Sequence, residues 1–320
     1  MKIVMLERNS LGTDIDVSCF EKLGTFIQYP VSVNEDSAEK IKDADIVIVN
    51  KVQMKEEILR EADHLKLICV TATGTDNVDL TYCKSRGIVV TNVKGYSTAA
   101  VAQHTFALLF YVMEKMSYYD QYVKSGTYAN QPRFSNFDEA FFELEGKTWG
   151  IVGLGEIGRT VAKIATAFGV NVIYYSASGR SYDVPYTQVN FDELCEQSDI
   201  ISIHAPLNEY TRDLFQKDAF SKMKKSAYLI NVGRGPIVND RDLADALIEG
   251  EIAGAGIDVL GKEPITKDNP LGRIHDSKKL MITPHMAWAS TEARERLVAE
   301  VYKNAEAYLK GEKRGVVEPA

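Results

Sequence analysis

Three side chains in the second half of the chain have types and surroundings suited to ion pairing and proton transfer: Arg234, Glu263 and His285. Arg234 lies between Gly233 and Gly235, just after an apolar run, so its guanidinium has room to grip a carboxylate through two parallel hydrogen bonds. His285 follows Thr283 and Pro284 and carries a ring that exchanges protons near neutral pH. Glu263, before Pro264, would orient such a ring and favour its protonated form. Read singly, each has a plain alternative: a solvated turn arginine, a structural loop histidine, a surface acid before a proline. Read together, they meet the needs of reducing a 2-keto acid, namely a cation for the carboxylate and a general acid for the ketone oxygen. A hydride source is then required.

Residues 148–176 indicate that source. An apolar run at 149–152 reads as a buried strand, and Gly153, Gly155 and Gly158 follow in G-x-G-x-x-G spacing. Residues 156–168 read as a helix with Ile157, Val161, Ile164, Ala165 and Phe168 on one face, and 171–175 as the next strand. In such a β-α-β unit the first glycine permits a tight turn, the second lets a pyrophosphate approach the backbone, and the third lets helix and strand pack closely. The helix start adds free N–H groups and a partial positive charge. A glycine-rich turn of another α/β protein, or a methyltransferase-type nucleotide site, would leave the same local pattern.

The elements around these residues alternate. Residues 1–95 read as strands at 2–6, 25–29, 45–49, 66–70 and 87–91, with helices near 13–22, 36–42, 55–62 and 79–86. That pattern spells a parallel sheet covered on both faces, here without a phosphate turn. Ser97 or Thr98 is placed to cap one long helix from 99 to about 124, closed by Gly126, and 127–147 reads as loop with room for a short helix. Beyond 171 the alternation resumes, with Asn190, Asn239 and Ser290 placed as helix caps.

Bulk properties narrow the partners. A chain of 320 residues suits two domains. With Lys+Arg 37 against Asp+Glu 45 the net charge is −8, which repels nucleic acid and anionic membranes, so neither is expected. Cys19, Cys69, Cys83 and Cys195 have no metal-ligand spacing; no metal is expected, and they read as thiols of a reducing compartment. The four apolar residues before Glu7 are too few for a signal peptide, and no run reaches transmembrane length, so a cytoplasmic location is expected.

Seven stretches in order carry a resemblance: 72–79 (ATGTDNVD), 101–105 (VAQHT), 153–158 (GLGEIG), 204–206 (HAP), 231–235 (NVGRG), 254–259 (GAGIDV) followed by Glu263 and Pro264, and 283–285 (TPH). With them the chain resembles the D-isomer-specific 2-hydroxyacid dehydrogenase family over nearly its whole length. The resemblance implies an α/β fold of two doubly wound parallel-sheet domains. A Rossmann cofactor domain (99–289) is inserted in a flavodoxin-like substrate domain (1–98 and 290–320), with a closing cleft between them and a homodimer through the cofactor domains. It implies Arg234, Glu263 and His285 as the catalytic set, and backbone N–H groups around Thr73 and Gly74 beside Arg234 on the substrate carboxylate. It places pyrophosphate on Leu154, Glu156 and Ile157 with the three glycines, and adenosine along His204, Ala205 and Pro206. Thr105, Val232, Gly233, Ala287 and Asp258, the last through the nicotinamide carboxamide, complete the implied cofactor contacts, with Arg234 and His285 adjoining.

Residues 284–290 (PHMAWAS) and the pair Asn50 and Lys51 resemble the glycerate dehydrogenase, or hydroxypyruvate reductase, branch. That implies hydroxypyruvate or glyoxylate as substrate, with Lys51 at its mouth and Trp288 as a wall. A surface lysine and a packing tryptophan are their plain readings, and D-lactate-type or branched 2-keto acids stay open. Where an NAD-preferring site commonly carries Asp or Glu, this chain has Ser176, followed by Ser178 and Arg180. The anionic barrier to a 2′-phosphate is missing, so NADP(H) is the expected cofactor, with NAD(H) open as a second. Rival readings are a dinucleotide-sensing protein like the C-terminal-binding corepressors, and a formate or phosphite dehydrogenase on the same scaffold.

Overall fold

The computed structural model describes residues 1–319, which divide into two units, 1–97 with 289–319, and Thr98–Trp288. In the first unit β1 (Lys2–Met5), β2 (Thr25–Gln28), β3 (Ile46–Val49), β4 (Leu67–Val70) and β5 (Val89–Thr91) pair in parallel, in the order β2-β1-β3-β4-β5. This is the flavodoxin-like doubly wound order. The helices α1 (Asn34–Ile41), α2 (Glu56–Leu59) and α3 (Leu80–Ser85) belong to its connections. β3 and β4 are apolar quartets buried throughout, as a sheet covered on both faces demands. The helix expected near 13–22 is instead a 3-10 segment, Ser18–Leu23.

The second unit begins with α4 (Thr98–Met113) and α5 (Met116–Lys124). One continuous helix was the expectation. Lys115 breaks it with a left-handed φ of 56°, and its half-buried ammonium reaches the Tyr228 hydroxyl (3.3 Å) and the Lys278 carbonyl (3.2 Å). Desolvation lowers the pKa of that ammonium. The sheet comprises β6 (Thr148–Val152), β7 (Asn171–Tyr175), β8 (Thr187–Gln188), β9 (Ile200–Ile203), β10 (Tyr228–Asn231), β11 (Gly254–Ile257) and β12 (Leu280–Ile282). All pairs are parallel and the order is β8-β7-β6-β9-β10-β11-β12. The order reverses between β6 and β9, and open α/β sheets bind ligands outside the carboxyl ends of the strands at such a switch point.

The remaining helices of this unit are α6 (Glu156–Ala167), α7 (Phe191–Gln197), α8 (Lys217–Lys222) and α9 (Asp240–Glu249). On one face of the sheet Leu109, Trp149, Ile151, Val161 and Ala165 form a core with α4 and α6. On the other, Leu194, Phe215, Phe220, Leu243 and Leu247 do so with α7 to α9. Ile164 and Phe168, expected to face inward, are 37% and 44% exposed. Gly158, Val161, Ala162 and Ala165 take the buried stripe instead. The reason is close approach at the start of α6, where a Cβ on Gly158 would stand 2.2 Å from the Gly153 carbonyl oxygen.

Asn190 and Glu193 form a reciprocal capping box on α7, Asn239 caps α9, and Ser290 caps α10 (Thr291–Leu309). α10 returns to the first unit and packs on β4. No helix among the described residues is long and apolar enough to cross a membrane.

Candidate active site

The turn after β6 is shaped by its glycines. Gly153 has φ 89°, and a Cβ there would press on the Ala205 backbone at 2.9 Å, so the turns after β6 and β9 touch only because no side chain intervenes. Over Gly155, by contrast, a Cβ would meet nothing within 4 Å. Gly155 is also the N-cap of α6, and no side chain caps that helix. Open space above uncapped N–H groups is what a pyrophosphate needs, so these residues fit a dinucleotide. Leu154 is buried, Glu156 is exposed and Ile157 is half-buried.

Across the switch point, β9 runs into His204, Ala205 and Pro206. The Nε2 of His204 lies 2.9 Å from Ser202 Oγ, which also accepts from Trp149 Nε1 at 2.9 Å. Burial pushes the His204 imidazole down to about 3, so this ring is neutral at physiological pH. Thr105 is fully buried on α4 with its hydroxyl on the Val101 carbonyl (2.8 Å).

Past β7 the chain continues through Ser176, Ser178 and Arg180. Ser176 and Ser178 place their hydroxyls 3.3 Å apart. The Arg180 guanidinium lies 5.2 Å over the Tyr182 ring, and Arg159 lies 4.8 Å over the same ring. Arg159 was not singled out from sequence, because a lone arginine one residue past the glycine motif has no periodic signal. The fold gathers it with Arg180 on Tyr182, two cations sharing one aromatic ring.

The chemistry-bearing residues follow the carboxyl ends of β10, β11 and β12. After β10, the buried Asn231 brackets the turn: its amide donates to the Arg234 carbonyl (3.1 Å) and its oxygen accepts from Gly233 N–H (3.1 Å). Arg234 Nη1 meets the Gly233 carbonyl at 2.9 Å. Val232 is buried beneath. Gly235 is pressed on the next loop, where a Cβ would stand 1.8 Å from the Leu260 carbonyl oxygen. That loop carries Glu263, whose Oε1 accepts from Leu260 N–H (3.0 Å) and whose Oε2 lies 2.7 Å from His285 Nδ1. A carboxylate only accepts, so Nδ1 bears the proton and Nε2 is the ring nitrogen left for exchange. Parallel strands are about 4.8 Å apart, so β10 and β12, with β11 between them, are separated by roughly 10 Å.

His285 has φ 56°, a left-handed conformation that costs a non-glycine residue energy and concentrates at functional sites. Asp258, 2% exposed, enforces it. Its carboxylate accepts from Thr283 Oγ1 (2.6 Å), Met286 N–H (2.7 Å) and Ala287 N–H (2.9 Å), and its carbonyl accepts from His285 N–H (2.9 Å). Trp288, half-buried, packs against the core under α4 and α6.

Lys51, Thr73 and Gly74 belong to the first unit. Lys51 is exposed beyond β3, in a turn fastened by Glu7: one carboxylate oxygen accepts from the N–H groups of Asn50 (2.8 Å), Lys51 (2.8 Å) and Val52 (3.1 Å). Thr73 is exposed after β4, with its hydroxyl on the Val93 carbonyl (2.8 Å) and its carbonyl taken by the Asn92 amide (2.6 Å). Glu7 escaped sequence reading because its three partners lie 43 to 45 residues away.

Known proteins resemble this chain in sequence and fold. A family model for the D-isomer specific 2-hydroxyacid dehydrogenase, NAD binding domain, covers residues 106–287. A hydroxypyruvate reductase of Blautia hydrogenotrophica is 38% identical over 327 residues, with 99% of each chain covered. A glycerate dehydrogenase of Methylorubrum extorquens is 36% identical over 318 residues, again with 99% of each covered. Among solved structures, an acyclic imino acid reductase (Bsp5) in complex with NADPH and D-arginine superposes with TM-score 0.87 at 33% identity, covering 99% of this chain and 100% of that one. With the domain model spanning more than half the sequence and relatives spanning nearly all of it, this chain is an oxidoreductase of the D-isomer-specific 2-hydroxyacid dehydrogenase family, carrying that family's nicotinamide-dinucleotide-binding domain.

Proposed function

We propose that the protein reduces a small polar 2-keto acid, hydroxypyruvate or glyoxylate, to its D-2-hydroxy acid, with NADPH preferred. The observation that carries this reading is the His285–Glu263 pair on the strand-end row that also bears Arg234. The bound cofactor supplies a hydride. Arg234 grips the substrate carboxylate with its planar fork. His285 gives the Nε2 proton to the ketone oxygen as that oxygen gains charge, and in the reverse direction the neutral ring takes it back. Glu263 holds the ring by Nδ1 and leaves Nε2 for the exchange. The amides of Thr73 and Gly74 are assigned to the acid end of the substrate, Lys51 to the mouth of its pocket and Trp288 to a wall that limits its size. Residues 1–98 with 290–320 form the substrate domain and 99–289 the cofactor domain in this reading, and the four free thiols support a cytoplasmic location.

Relatives named hydroxypyruvate reductase and glycerate dehydrogenase support this substrate class. A panel of hydroxypyruvate, glyoxylate, pyruvate and 2-ketoisocaproate with each cofactor tests it. Hydroxypyruvate or glyoxylate with NADPH is expected to give the highest kcat/KM. The resemblance to an imino acid reductase favours a second reading, imine reduction, which the same panel tests when methylamine is added. Turnover dependent on the amine would replace the keto-acid reading.

The cofactor preference rests on Arg159, Arg180 and Ser176. A hydrogen bond to a charged group contributes about 1.5–3 kcal/mol, so Arg159→Ala or Arg180→Ala should raise KM for NADPH roughly 10–100-fold and leave KM for NADH nearly unchanged. Ser176→Asp should invert the preference, because an unpaired carboxylate repels the 2′-phosphate and accepts from a 2′-hydroxyl. Wild-type protein that favours NADH would defeat this assignment.

A homodimer belongs to the same reading. Met116, Val123, Phe134, Phe137, Phe141 and Phe142 are large apolar side chains left exposed on one stretch of the cofactor unit. Covering them with a second copy removes that surface from water. Light scattering is expected to give twice the 35.6 kDa chain mass, and Phe141→Glu with Phe142→Glu to shift it toward one chain.

A further inference from the structure

We propose that His104 and Thr283 are positioning residues for the His285 ring, acting through the Asp258 carboxylate; this rests on the catalytic reading given above. His104 lies on α4, and its Nε2 is 3.0 Å from Thr283 Oγ1 at the end of β12. The Thr283 hydroxyl in turn lies 2.6 Å from Asp258 Oδ1 at the end of β11. The chain of bonds therefore joins a helix to two strand ends across 179 and 25 residues of sequence.

The direction of each hydrogen bond follows from the chemistry. Thr283 has one hydroxyl proton, and the carboxylate can only accept, so that proton goes to Asp258. The hydroxyl oxygen then accepts from His104, whose Nε2 must carry a proton. The Asp258 carboxylate also accepts from Met286 N–H at 2.7 Å and Ala287 N–H at 2.9 Å, the two residues after His285. Its rotamer therefore sets the path of the turn, and the turn holds His285 at φ 56°. Asp258 is 2% exposed, so it has almost no water to replace a lost donor. Removing the His104 N–H leaves the Thr283 hydroxyl free to rotate off the carboxylate. The left-handed turn, which opposes local preference, then relaxes. Displacement of a reacting group by about 1 Å costs about 10²-fold in rate, so a contact remote from substrate acts on kcat.

Replacement by glutamine separates this role from simple packing. The glutamine amide presents an N–H donor at nearly the reach of imidazole Nε2, whereas a leucine fills similar space without one. His104→Leu is expected to lower kcat for hydroxypyruvate by roughly 10- to 100-fold, with KM for NADPH and substrate changed less than about threefold. His104→Gln is expected to restore kcat to within about threefold of wild type. Thr283→Val should match His104→Leu, and the double variant should be no worse than either single, because both break one chain of bonds. In the cofactor-free protein, long-range proton–nitrogen spectra should show a protonated Nε2 for His104, and His285 ring signals that move in His104→Leu but not in His104→Gln. Wild-type kcat and unmoved His285 signals in folded His104→Leu and Thr283→Val would overturn the proposal. If wild-type protein reduces no keto acid, the catalytic reading fails instead, and the His285 signals still decide whether His104 sets the ring.

Discussion

His285→Ala is expected to lower kcat for hydroxypyruvate reduction by roughly 10²–10⁴-fold, the range lost with a general acid, while NADPH still binds with near wild-type Kd. The expectation follows from one geometry. Glu263 Oε2 takes Nδ1 at 2.7 Å, so the opposite nitrogen is the only ring position free to deliver a proton. The alanine variant removes that proton without touching the turn after β6, where Gly155 and the start of α6 form the site proposed for the pyrophosphate. Stopped-flow hydride transfer and fluorescence titration with NADPH measure the two effects separately. A variant with undiminished kcat would remove His285 from the mechanism, and with it the case for Glu263.

Arg234→Ala should reduce kcat/KM by roughly 10²–10³-fold, on the scale of a truncated charge pair. Both constants suffer, because the carboxylate grip also aims the carbonyl at the hydride. Arg234→Lys should recover only part of the loss, since a lysine keeps the charge but not the fork. Steady-state kinetics with hydroxypyruvate check it, and circular dichroism guards against misfolding. Loss in KM alone, with kcat intact, would make Arg234 a general attractor of anions with no part in orientation.

Much of this architecture is legible from the residues alone, for stated reasons. Strands buried on both faces have to be continuous apolar runs, and 46–49, 67–70 and 200–203 are such runs. Asn190, Asn239 and Ser290 announce helix starts because their side chains satisfy the first N–H groups there. The glycine turn announces itself by spacing. The misses share a different cause. The break at Lys115 is invisible locally, since 99–124 is helix-compatible throughout; tertiary bonds to Tyr228 and Lys278 decide it. Ile164 reads inward on a helical wheel, yet α6 buries the stripe that starts at the tightly seated Gly158 and runs through Val161, Ala162 and Ala165. Glu7, Asn231 and His104 escape because their work is to hold backbone or a neighbouring hydroxyl, and only the folded chain brings those partners to them.

The contact between Gly235 and the Leu260 carbonyl has a bearing on how this enzyme can change. Any larger residue at 235 would pry the turn that bears Arg234 away from the loop that bears Glu263, so those two arms must drift together or stay put. Libraries randomised at 235 should therefore return glycine alone.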